Sequence, residues 1–168
     1  ATYTCKGKKP GIVLRIITGL NISDNNDERD YYQQFLNPDY IFTGADSSQQ
    51  QNTRIKSSTI SIRINYDRPL MENKLYLSAG NGLISSNSHN ILNTEFFKKP
   101  DNIFVKNDLL SNEFEFHQNI FFYRLALRYT VKPEFNITGG LQLEQTTTAF
   151  DIVNSTGNYS NNYWSGLP

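Results

Sequence analysis

Few side chains in this sequence have the types and spacing of a catalytic or binding site, and Glu144 is one candidate. Glu144 and Gln142 share a face if they lie on a strand, because side chains two residues apart point the same way. An acid there could belong to a substrate path. We favour a structural ion pair with Arg63, Arg124 or Arg128, because alternation places all these charged side chains on polar strand faces.

Residues 24–30 carry the oxygen atoms that a calcium ion prefers. However, Arg29 occupies the position where an EF-hand loop requires glycine, so we predict a solvated loop. His89 and His117 are far apart in sequence and have no Cys or His neighbour at zinc spacing. The sequence also lacks a nucleophile elbow, a P-loop and a G-x-G-x-x-G motif. We therefore expect no metal, no cofactor and no enzymatic activity.

The composition excludes several classes of protein. Sixteen basic residues balance sixteen acidic ones among 168, so no basic surface for nucleic acid is indicated. The single cysteine, Cys5, cannot form an internal disulfide. No run of 18 apolar residues occurs, which excludes a membrane-spanning helix. Aromatic residues make up 13% of the chain, and aromatics favour strands.

Alternation of apolar and polar residues predicts the elements that position these side chains. In residues 59–66, Ile60, Ile62, Ile64 and Tyr66 share one face and polar residues occupy the other. This period of two is typical of a strand with one apolar face. Similar alternation, together with a shorter opening segment, predicts about six antiparallel strands in an all-β fold: residues 1–6, 12–22, 59–66, 74–84, 113–130 and 135–145.

Connections of two lengths alternate between these predicted strands. Short breaks with proline lie at residues 8–11, 67–73 and 131–134, and long polar segments at 24–52, 88–112 and 154–168. Short turns on one side and long loops on the other are typical of a transmembrane β-barrel, and several strands have the ten or so residues that cross a bilayer. Aromatic side chains near the short turns would form a membrane-interface girdle: Tyr66, Tyr129 and Phe135.

Two motifs in the second half of the chain resemble a known family. The stretch NEFEFHQNIFFY at residues 112–123, followed by GGLQLEQT at 139–146, is similar to the outer-membrane β-barrel family of Bacteroidota related to the TonB-dependent receptors. Gln142 replaces the family's usual arginine, while Glu144 and Thr146 match. The turn at residues 66–70 and the stretch at 159–168 also resemble family patterns.

The resemblance implies that residues 1–168 are part of a single outer-membrane β-barrel domain, incomplete at both ends, because about six strands cannot close a pore. The remaining strands would belong to the same protein, which we favour, or to further copies of this chain. The implied location is the bacterial outer membrane. The implied partners are outer-membrane lipid, the remainder of the barrel and its plug, an energy-coupling inner-membrane protein and a surface lipoprotein. The residues expected to face the lumen are Arg63, Asn65, Arg124, Arg128, Gln142 and Glu144.

Three functions follow as hypotheses. The first is a segment of a transporter of the TonB-dependent receptor type, which takes up a nutrient across the outer membrane. The second is a structural barrel in a cell-envelope complex that transports nothing. The third is a soluble β-sandwich that binds a ligand through aromatic residues in its loops.

Overall fold

The computed structural model describes residues 1–99, 101–153 and 158–168, and every regular element in these ranges is a β-strand. Within the same ranges no helix is long and apolar enough to cross a membrane. The strands are β1 (Thr2–Lys6), β2 (Val13–Tyr31), β3 (Gln34–Leu36), β4 (Phe42–Asp46), β5 (Gln49–Met71), β6 (Leu75–Lys98), β7 (Ile103–Lys106), β8 (Asn112–Lys132), β9 (Phe135–Ile152) and β10 (Asn158–Leu167).

Eight of the strands form one antiparallel sheet, and seven of these follow the order β1-β2-β5-β6-β8-β9-β10. Each long strand pairs with its neighbours along almost its whole length, whereas β7 pairs only with the far end of β6. The β3 and β4 strands form a separate hairpin between β2 and β5. The short connections after β1, β5 and β8 all lie at one end of the sheet, so the predicted antiparallel all-β fold is confirmed.

The strands are longer than predicted, and the first two long loops are correspondingly shorter. The β2 strand continues to Tyr31, β5 begins at Gln49, and β6 continues to Lys98. The predicted loops at residues 24–52 and 88–112 therefore consist largely of paired strand. Polar residues predominate on both faces of β2 and β5 there, and the apolar residues of β6 lie in adjacent pairs, Ile91-Leu92 and Phe96-Phe97. No hydrophobic alternation therefore marks these segments, and backbone pairing extends the strands.

The third long loop, predicted from residue 154 onward, is also wrong for most of its length. Residues 158–167 form β10, which pairs with β9 from Asn158↔Asp151 to Leu167↔Gln142. Residues 154–157 lie outside the described part of the chain. Aromatic and polar side chains mix on β10 without strict alternation, so the sequence pattern did not indicate a strand.

The two faces of the sheet differ in chemistry near the short turns. The apolar face carries Ile60, Ile62 and Ile64 of β5, and the polar face carries Arg63 and Asn65. Directly paired residues of neighbouring strands point to the same side of a sheet. The register therefore extends each face across the strands from β2 to β9.

Burial is inverted relative to a soluble protein. On the apolar face Leu20 is 68% exposed and Leu141 is 66% exposed, whereas Thr146 on the polar face is 1% exposed. Ala126 is the only buried hydrophobic residue in the described ranges. A soluble β-sandwich needs two sheets that enclose an apolar core. This single sheet has no such core, so the β-sandwich hypothesis is wrong.

The apolar part of the apolar face, here called the apolar band, crosses the strands diagonally. It ends at Ile22 on β2 and at Leu143 on β9, after which both strands carry polar residues. Leu143 is level with Ile16 in the paired register, six residues before Ile22. Six residues span about 20 Å along a strand, and the four intervening strand spacings total about 19 Å. The strands therefore cross the band at about 45°, close to the tilt of transmembrane β-barrel strands.

Candidate functional site

All six residues predicted to face a lumen lie on the polar face of the sheet. Three of them belong to one row of directly paired residues, here called the Arg124 row, which crosses five strands. In this row Arg15 pairs with Asn65, Asn65 with Gly80, Gly80 with Arg124, and Arg124 with Gln142. Arg15 was missed, although its odd position in an alternating segment was enough to place it on this face.

The next row, here called the Phe122 row, lies two residues further from the short turns. In it Arg63 pairs with Gly82, Gly82 with Phe122, and Phe122 with Glu144. The sixth predicted residue, Arg128, lies nearer the turns and pairs with Tyr76 of β6. The fold thus brings Arg63, Arg124 and Glu144 onto adjoining rows of one surface, and whether that surface faces a lumen stays a prediction.

Two glycines of β6 give the polar face its shape between β5 and β8. The pairing continues through Gly80 and Gly82 without a bulge. A Cβ atom at Gly82 would collide with the ring of Phe122, and one at Gly80 would lie 3.1 Å from Oδ1 of Asn65. Phe122 from one side and Asn65 from the other therefore lie over the bare backbone of β6.

Aromatic rings support two of the arginines. The guanidinium carbon of Arg63 lies 5.4 Å from the centre of the Phe122 ring, and that of Arg128 lies 4.6 Å from the Tyr76 ring. Both distances are within the range of cation–π attraction. A cation–π contact does not engage the N–H groups of a guanidinium with an oxygen acceptor, so they can still donate to one. Phe122 and Tyr76 were missed because sequence alternation assigns a face without identifying the residue paired across it.

The ion pair that we favoured for Glu144 is absent. Within the described ranges no acid lies in ion-pair contact with Arg63, Arg124 or Arg128. Instead, the Thr146 hydroxyl donates to Oε1 of Glu144 over 3.3 Å. The physical reason is the register: Glu144 lies opposite Phe122, and its neighbour Gln142 takes the position opposite Arg124.

Acids do not balance the arginines on this part of the polar face. The nearest other carboxylate on the face at this level is Asp67, which accepts a hydrogen bond from the Ser78 hydroxyl at 2.6 Å. Its row lies between the Arg124 row and the short turns. The surface around Arg63 and Arg124 is therefore electropositive and has unused hydrogen-bond donors, which suits binding of an anion.

The residues considered for calcium lie in a strand rather than a loop. Residues 24–30 belong to β2, and Asp24 accepts two hydrogen bonds from Arg54, at 2.7 and 3.0 Å. His89 and His117 lie on neighbouring strands, where His89 is 2.7 Å from Glu113 and His117 is 3.5 Å from Glu115. No group of three or more metal-ligating side chains converges within the described ranges.

The three aromatic residues predicted to lie at a membrane interface share the apolar face. Tyr66 pairs with Leu14 and Ala79, and Tyr129 pairs with Leu75 and Ile137 on either side. Phe135 begins β9, two residues before Ile137. All three lie near the short turns, at the same edge of the apolar band, and their contact with a membrane interface stays a prediction.

Comparison with known proteins supplies the family. No curated protein matches the chain. A model of the outer membrane protein beta-barrel family matches residues 6–168, which is nearly the whole sequence. The antiparallel sheet, the diagonal apolar band and the inverted burial are the properties expected of a barrel wall in lipid. The chain belongs to the outer membrane protein beta-barrel family, and its location is the bacterial outer membrane.

Proposed function

We propose that the chain forms part of the wall of a barrel that carries a solute across the outer membrane. The observation that supports this is the pair of polar rows at the depth of the apolar band. The interior charges of a wall that only anchored a complex would be expected to pair with one another, whereas no described acid lies in ion-pair contact with Arg63 or Arg124. Under this proposal the apolar band contacts lipid and the polar face lines the lumen.

The transporter is proposed to be of the TonB-dependent receptor type, on the strength of the motifs at residues 112–123 and 139–146. Its cargo is then a nutrient, and its partners are a plug, an energy-coupling inner-membrane protein and a surface lipoprotein. Strand edges supply a further argument. In the described sheet β1 and β10 each pair on one side only, and unpaired edges are not tolerated in lipid. We therefore propose that further strands, from the same protein or from further copies of this chain, close the barrel.

A scaffold barrel is the competing function, and one observation favours it. Beyond the apolar band the sheet continues for many residues, with ion pairs such as Asp24–Arg54 on its surface. Together with the β3–β4 hairpin, this part offers a large area for contact with another protein. Either a transporter or a scaffold could carry such a contact surface, so a measurement of solute flux must decide between the two functions.

The test is solute release from liposomes that contain the purified full-length protein and a small neutral sugar. For an energy-coupled transporter the assay uses protein from which the plug has been removed genetically, beside the intact protein. Sugar release above that of empty liposomes supports transport. If both proteins fold in the bilayer and neither releases sugar, the scaffold function is correct and transport is wrong.

A further inference from the structure

Resting on the proposed transport function, we propose that the solute carries a carboxylate or phosphate group and that the polar face binds this group. The site consists of Arg63 and Arg124, with Asn65 and Phe122 between them, and is here called the guanidinium site. The assignment rests on the position of the two arginines. They lie on either side of β6, whose residues facing them are glycines, and neither has an acidic partner in the described ranges.

Charge is the first argument. Both arginines are exposed on the polar face, and no described carboxylate lies in ion-pair contact with either. Arginine stays protonated at any physiological pH. In a barrel the guanidinium site would lie at mid-depth of the wall, where surrounding lipid and protein strengthen an electrostatic interaction relative to bulk water. An anion at the site would therefore gain more than at the outer surface.

Geometry is the second argument. The Phe122 ring lies over Gly82 and holds the Arg63 guanidinium 5.4 Å from its centre. No described acid is in ion-pair contact with this guanidinium, so its N–H groups can form the two parallel hydrogen bonds that match a carboxylate or phosphate. Asn65 adds an amide that can donate to a third oxygen. Few uncharged solutes could use this set of donors.

Spacing is the third argument, because it sets the size of the ligand. Arg63 and Arg124 lie two strands apart and in adjoining rows, so their Cα atoms are about 12 Å apart. Two extended arginine side chains can converge from that distance on one small polyanion. A solute with two or three anionic groups would bridge both guanidinium groups, whereas a single carboxylate would engage one of them.

The test measures binding of citrate to the purified full-length protein by isothermal titration calorimetry, with glycerol as the neutral comparison. The proposal predicts citrate binding that weakens as salt is raised, and no binding of glycerol. The double variant Arg63→Gln/Arg124→Gln should bind citrate roughly tenfold to a hundredfold more weakly. Arg63→Lys/Arg124→Lys keeps the charge but loses the paired donors, so its affinity should be intermediate.

Arg54→Gln/Lys56→Gln is the matched control. It removes the same charge from the opposite face of β5, beyond the apolar band, and should bind citrate like the wild type. Citrate binding is measured with the intact protein and with protein from which the plug has been removed genetically, so that a plug segment seated on the site cannot hide it. Equal loss in both double variants, or no citrate binding to either form of the wild type, overturns the proposal. Sugar release is measured separately, so transport can fail while anion binding holds, and the reverse.

Discussion

The Phe122 ring lies across Gly82 of the neighbouring strand, and a methyl group added at Gly82 would collide with it. The two residues are direct partners in the β6–β8 register. From the far side of Gly82, the Arg63 guanidinium carbon lies 5.4 Å from the centre of the same ring. One glycine therefore determines where an aromatic ring and a charged group lie on the polar face, and this dependence can be tested by substitution.

Gly82→Leu should destabilise the folded protein, because the Phe122 ring has no space beside a leucine side chain at its paired position. Overpacking of this kind typically costs about 1–3 kcal/mol. Urea unfolding in lipid vesicles, followed by tryptophan fluorescence of Trp164, measures the change. Adding Phe122→Ala to Gly82→Leu should restore most of the lost stability. A double variant no more stable than Gly82→Leu alone would contradict the proposed contact.

The assignment of faces makes a sharper prediction with two adjacent residues of β5. Ile62 lies on the apolar face within the apolar band, and Ser61 lies on the polar face. Ile62→Arg should lower the free energy of unfolding in vesicles by about 2–4 kcal/mol, the cost of arginine on a lipid-facing position near the bilayer midplane. Ser61→Arg should cost much less, because its side chain can remain hydrated. Equal losses would mean that the faces are assigned wrongly.

The sequence was sufficient to predict this difference between faces. Strict alternation in residues 59–66 assigns each side chain to a face without any knowledge of its neighbours, because a strand has a period of two. For the same reason Arg63 and Arg124 could be placed on the polar face. Two short motifs were enough to predict the outer-membrane β-barrel family, and the strand tilt of about 45° agrees with that family.

What the sequence could not predict depends on pairing between strands. Glu144 shares a face with three arginines, but the register places it opposite Phe122, so the expected ion pair does not form. The strands also run beyond the apolar band into segments where both faces are polar, as in residues 24–30. Backbone hydrogen bonds rather than side-chain burial hold those segments, and backbone pairing leaves little trace in composition.

The turn between β5 and β6 depends on Asn73, whose φ of 56° lies in the left-handed region. Asparagine and glycine tolerate this conformation, whereas a β-branched residue does not. Asn73→Val should therefore cost about 1–2 kcal/mol in urea unfolding, and Asn73→Gly should be close to neutral. Glu72→Val, one position earlier and outside the residues with positive φ, is the control. A glycine variant as unstable as the valine variant would show that the Asn73 side chain, rather than its backbone, matters.

The base of the β3–β4 hairpin should respond to acid through Asp46. The hydroxyl and the backbone N–H of Ser48 lower the pKa of the Asp46 carboxyl below its ordinary value, and the N–H donates to Oδ1 over 2.8 Å. A depressed pKa means that ionised Asp46 stabilises the folded hairpin above the ordinary carboxyl pKa. That stabilisation is lost as the pH falls through the lowered pKa of the folded state.

Ser48→Ala should consequently raise the pKa of Asp46 towards its ordinary value, because the hydroxyl is the largest cause of the shift. An NMR titration of the Asp46 carboxyl in nanodiscs measures this change, and hydrogen exchange of β3 and β4 shows whether the hairpin loosens at a higher pH. Ser47→Ala is the matched control, since the Ser47 hydroxyl donates to Gln33 rather than to Asp46. The assignment to Ser48 is wrong if Ser47→Ala shifts the titration as much as Ser48→Ala does.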